Sequence, residues 1–119
     1  MKAKKMLALG AGLLFTGMAF AGPAPEYPGG KDAMNQYLTT NLKYPETAKA
    51  NGIEGVVDVA FTVKADGSIG AIKIVRMVDP DLEQEAIRLV KNMPAWTPAD
   101  KNGAPVDAQT QVQVNFILD

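Results

Sequence analysis

The sequence predicts an α+β fold: a three-stranded antiparallel or mixed sheet with two to three helices packed on one face. Three observations lead there. Apolar residues recur at helical spacing in two well-separated segments, Met34 to Leu42 and Leu82 to Met93. Apolar and polar residues alternate with the period of a half-buried strand in two others, Val57 to Val63 and Val106 to Leu118. The 119 residues suffice for one hydrophobic core and not for two.

Taken in order, Gly22-Pro23-Ala24-Pro25-Glu26-Tyr27-Pro28-Gly29-Gly30 is too rich in proline and glycine for a regular element and reads as an extended lead-in over residues 22–30. From Lys31 to about Leu42, Met34, Tyr37, Leu38 and Leu42 share one face of a first helix. Tyr44-Pro45 interrupts it. Glu46 to Ala50 follows as a short second helix, capped by Asn51-Gly52. Val57, Val59, Phe61 and Val63 then face one side of a first strand, which Asp66-Gly67 reverses. The return strand, about Ile69 to Met77, has Ile69 out of phase with Ile72 and Ile74, so a bulge near Gly70 is expected. Asp79-Pro80 supplies an N-cap and a first-turn proline for the best-specified helix, which Met93-Pro94 ends. Pro94 to Gly103 reads as a loop, and a long third strand follows from Val106 to Leu118. A right-handed helical crossover between the second and third strands lays the third beside the first, where it becomes a sheet edge.

The N-terminus has its own logic. Lys2, Lys4 and Lys5 precede an uncharged run from Met6 to Ala21 that ends in Ala19-Phe20-Ala21, the pattern of a secretory signal peptide over residues 1–21. The run of 16 residues is shorter than the ~20 that span a bilayer, so cleavage is favoured over an inner-membrane anchor. Taking 21 residues from 119 leaves 98, with 9 basic and 13 acidic side chains, an exported and mildly acidic domain.

Composition excludes much chemistry. With no cysteine and no histidine there is no zinc site of the usual ligand type, no disulfide framework and no Ser/His or Cys/His pair. The charge balance argues against nucleic acid, which selects an excess of Lys and Arg. Asp79, Asp81, Glu83 and Glu85 lack the central glycine of a calcium loop and suit the first turn of a helix instead. The remaining carboxylates, lysines and tyrosines are scattered along polar faces. Neither catalysis nor a metal, cofactor or small-molecule substrate is expected.

Binding is the remaining class. Gln109, Thr110, Gln111, Val112, Gln113, Val114, Asn115 and Phe116 form an amphipathic strand free of Lys, Pro and bulge, the devices that usually protect an edge from pairing. Such an edge can add an incoming extended peptide through main-chain hydrogen bonds, or serve as plain sheet, covered or paired with a second copy. Tyr27 and Tyr44, each before a proline, are candidates to line a peptide groove or to pack the lead-in against the helices. Trp96, between two prolines, joins them as a candidate, with packing at the core rim its favoured role.

Tyr27-Pro28-Gly29-Gly30, Tyr44-Pro45 with Ala48, Gly52-Ile53-Glu54-Gly55 running into Val57 to Phe61, Asp66-Gly67-Ser68-Ile69, Met93-Pro94-Ala95-Trp96-Thr97-Pro98 and Asn102 to Val106 occur in an order and spacing that resembles the TonB C-terminal domain family. The resemblance spans nearly all of residues 22–119, with the domain itself expected over residues 31–119. It implies a periplasmic domain that captures the TonB box of outer-membrane receptors, or segments of other envelope proteins, by strand addition in energy-coupled nutrient transport. A self-associating homodimer, acting as a structural adaptor of the envelope, is the alternative.

The sequence departs from full-length members of that family. They carry a membrane helix with a polar histidine and a long Pro-rich linker, whereas Gly22 to Tyr27 reaches at most ~20 Å and histidine is absent. The resemblance is therefore expected to transfer binding better than force.

Overall fold

A computed structural model describes residues 23–118. The predicted signal peptide and its cleavage after Ala21 lie outside the described residues. The elements run α1 Gly30–Asn41, α2 Glu46–Ala50, β1 Gly55–Val63, β2 Ile69–Arg76, α3 Pro80–Lys91, β3 Ala99–Lys101, β4 Ala104–Val106 and β5 Ala108–Phe116. The main sheet has the order β2-β1-β5 with antiparallel pairing throughout, so the last long strand lies beside the first, as the crossover argument expects.

Local chemistry explains most boundaries. The Asp79 side chain accepts hydrogen bonds from the main-chain N–H groups of Asp81 and Leu82, at 3.0 and 3.2 Å, and starts α3 at Pro80. A cap of this kind contributes about 1 kcal/mol. The β1–β2 reversal is a three-residue loop. Gly67 N–H donates to the Lys64 carbonyl at 2.7 Å and Lys64 N–H to the Ser68 carbonyl at 2.8 Å, which is a tight turn followed by a left-handed glycine. Across that hairpin, Thr62 pairs with Gly70 but Ala60 pairs with Lys73, so β2 carries one extra residue. The bulge expected near Gly70 is there, and Ala71 sits in it at φ 50°.

Two expectations need correction. The stretch from Pro94 to Gly103 is not all loop, because β3 and β4 form a second, two-stranded ribbon joined at Asn102 and Gly103. Both residues have positive φ, the turn geometry that Asn-Gly favours. The third long strand also does not run unbroken from Val106 to Leu118. Val106 ends β4, and Asp107 turns the corner by accepting Ala65 N–H at 2.7 Å. At the other end, Leu118 leaves the ladder and donates its N–H to the Glu54 carboxylate at 2.6 Å.

The core lies between the sheet and the helices. Val57, Val59, Phe61 and Val63 of β1 and Val112, Val114 and Phe116 of β5 meet Leu82, Ala86, Leu89 and Val90 of α3. Leu38 of α1 and Ala48 of α2 close the same layer. The lead-in is fastened as well, since Glu26 and Thr97 exchange main-chain hydrogen bonds of 2.9 and 2.8 Å.

One carboxylate enters this interior. Glu85, read from sequence as part of an acidic first turn, is buried on α3. Its oxygens accept two hydrogen bonds from Arg88, at 2.7 and 2.6 Å, and one from Lys43 N–H at 2.7 Å. Burial alone would raise its pKa, but Arg88 and the Lys43 amide outweigh that effect, and the carboxyl titrates below its ordinary range. Folding therefore favours the ionised form. Its contribution is complete above the ordinary glutamate range and is lost as pH falls through the lowered folded value. Glu85→Gln is expected to cost about 1–2 kcal/mol at neutral pH. Melting curves of both proteins from pH 7 to pH 3 should converge at the acid end; a constant gap would exclude this linkage.

Candidate functional site

The two edges of the main sheet differ. Along β2 the register slips twice, between Asp58 and Val59 and between Ala60 and Thr62 of its partner strand, and Lys73 and Arg76 lie on it. Bulges and basic side chains are the usual protection of an edge against added strands. Along β5 there is no slip. Nine consecutive residues, Ala108 to Phe116, pair in register with Val63 to Gly55, and none of them is charged or proline.

The direction of the main-chain groups on β5 follows from alternation. Lys64 N–H points to β2, as its bond to Ser68 shows, so amides of even-numbered β1 residues face β2 and those of odd-numbered ones face β5. Phe61 and Thr110, Val59 and Val112, and Val57 and Val114 are thus the bonded pairs of the β1–β5 ladder. It follows that Gln109, Gln111, Gln113 and Asn115 turn their N–H and C=O groups outward. Their side chains lie on the sheet face away from the core, whereas Val112, Val114 and Phe116 are buried on the helix side. Among the described residues no strand pairs with this outer edge.

A feature the sequence reading missed flanks the edge. Asn35, Leu38 and Thr39 of α1 and Leu42, the residue just after it, form a shallow groove with Gln113, Val114 and Asn115 of β5. Leu38 and Leu42 are legible as a helical apolar stripe, but nothing in their spacing places them next to the last strand.

The three candidate aromatics do not share one site. Tyr27 and Trp96 meet edge to face with ring centroids 5.8 Å apart, and Trp96 meets Phe61 in the same way at 5.3 Å. Both side chains are buried. Tyr44 instead packs edge to face on Phe116, at 5.6 Å, and its hydroxyl donates to the Ile53 carbonyl. Burial, reinforced by Glu54 and Asp79, raises the Tyr44 pKa and keeps that hydroxyl a donor. Among the described residues, no helix is long and apolar enough to cross a membrane and no three acidic side chains converge as a metal cage.

Fold and edge together define a small α+β domain whose sheet is slipped and basic along β2 and, among the described residues, without a partner strand along the outer edge of β5. The chain belongs to the TonB C-terminal family: residues 40–118 match the family described as Gram-negative bacterial TonB protein C-terminal. It is 39% identical over 56 residues to Protein TonB of Helicobacter pylori strain J99 / ATCC 700824, and equally to that of strain ATCC 700392 / 26695. That stretch covers 46% of this chain and 20% of each relative, so the match spans about a fifth of their length. Two solution structures of the Helicobacter pylori TonB C-terminal domain are similar at 27% identity. The first has a TM-score of 0.57 and covers 77% of this chain and 87% of that one. For the second, the TM-score is 0.50 and the coverage 71% and 88%.

Proposed function

We propose that this domain captures extended segments of outer-membrane receptors, the TonB box, as an added strand on the outer edge of β5, on the periplasmic side of TonB-dependent nutrient transport. The observation that carries the reading is the contrast between the edges. A slipped, basic β2 resists pairing, and a straight, uncharged β5 offers the outward main-chain groups of Gln109, Gln111, Gln113 and Asn115. Family membership supports the partner class.

Titration of 15N-labelled protein with receptor TonB-box peptides tests this. Amides of β5 should shift first, those of β2 little, and silence along β5 at millimolar peptide would sink the reading. Gln113→Pro removes one outward N–H while sparing the ladder to β1, because an edge position whose N–H faces solvent tolerates proline. The fold should survive, and affinity should fall about tenfold or more from the lost hydrogen bond and the obstructing ring. Shifts along β5 on simple concentration of the protein, without peptide, would instead assign the edge to a second copy.

A further inference from the structure

Strand addition alone reads main-chain groups, which every peptide possesses. The groove between α1 and β5 adds a selective element. In a strand laid along β5, one residue faces Val114, whose own main-chain groups are directed to β1. Opposed residues in a sheet share a face, so that residue projects to the helix side. It meets the groove there. Half-buried Leu42 and the exposed edge of Leu38 supply the apolar surface over a floor at buried Val114, and Asn35 and Thr39 supply an amide and a hydroxyl from α1. None of the seven lining residues carries a charge. A carboxylate or ammonium placed there would lose hydration without gaining a counter-charge, whereas an aliphatic side chain would cover Leu38 and Leu42.

We propose that the α1–β5 groove is a side-chain pocket that selects an uncharged aliphatic residue at the position of the incoming strand facing Val114. The proposal rests on the strand-addition reading and assigns it a point of sequence specificity. A TonB-box peptide whose residues are replaced one at a time by valine, aspartate and lysine provides the test against labelled protein. At one position both charged residues should bind about tenfold or more weakly than valine. Rejection of both signs separates a pocket from long-range attraction or repulsion, which would favour one charge over the other. At that position, nuclear Overhauser contacts should connect the valine methyls to those of Leu38 and Leu42. Thr39→Trp, on the exposed side of α1, fills the groove and should reduce the discrimination to about threefold or less while β5 amides still shift. Discrimination that is unchanged in Thr39→Trp, or equal tolerance at every position, overturns the pocket and leaves strand addition standing. If no peptide shifts β5 at all, both readings fall together.

Discussion

Phe61→Ala is expected to lower the unfolding free energy by about 3–5 kcal/mol. The side chain is fully buried on the central strand, two residues from its C-terminal end, and its ring is the surface on which Trp96 stands. Trp96 in turn supports Tyr27, so one truncation opens a cavity beneath the two remaining aromatics. The backbone around it leaves little room for collapse, because β1 is held on both sides by β2 and β5. Domains of this size have about 5–15 kcal/mol of stability, so the loss removes between about a fifth and all of it. Urea denaturation followed by Trp96 fluorescence measures the loss. A shift worth less than about 1 kcal/mol would show that the aromatic stack does not depend on Phe61.

Gly67→Ala carries the second large effect, about 2–4 kcal/mol, from two sources that a control separates. Gly67 has φ 89°, a conformation costly for any residue with a Cβ. That Cβ would also lie 2.5 Å from the Trp96 carbonyl oxygen, and Trp96 cannot retreat without losing its own N–H bond to the Gly67 carbonyl, at 2.9 Å. Gly52 shares the positive φ, at 66°, but has open space around it. Gly52→Ala should therefore show the backbone cost alone, about 1 kcal/mol. Equal melting temperatures for the two variants would mean that the turn moves freely away from Trp96, contrary to the packing described.

Which features could be read from sequence follows from how local their causes are. The α3 helix was legible because its apolar spacing, the Asp79 cap and Pro80 all act within one turn of the chain. The bulge in β2 was legible from the phase error of Ile69. The β3–β4 ribbon was not, although Asn102-Gly103 is a turn signal, because three-residue strands containing Asp100, Lys101 and Pro105 show no alternation. Nor was the burial of Glu85, since its hydrogen bond from Lys43 spans 42 residues. For the candidate site, the uncharged alternation from Gln109 to Phe116 was visible, whereas the groove depends on α1 lying against β5, a relation that appears only when the sheet closes.

The register of the sheet has a kinetic meaning. Val63 pairs with Ile69, six positions away, on one side, and with Ala108, 45 positions away, on the other. Closing the longer loop costs about 2 kcal/mol more chain entropy than closing the shorter one. At the far end of the same ladder Gly55 meets Phe116 across still more chain. The guarded edge therefore belongs to a hairpin that local contacts build, and the open edge to the least local pairing in the sheet. Until that pairing forms, the apolar centre strand is itself the rim of the sheet. The outward main-chain groups of Gln109, Gln111, Gln113 and Asn115 are thus set in a row only once the domain has finished closing on itself.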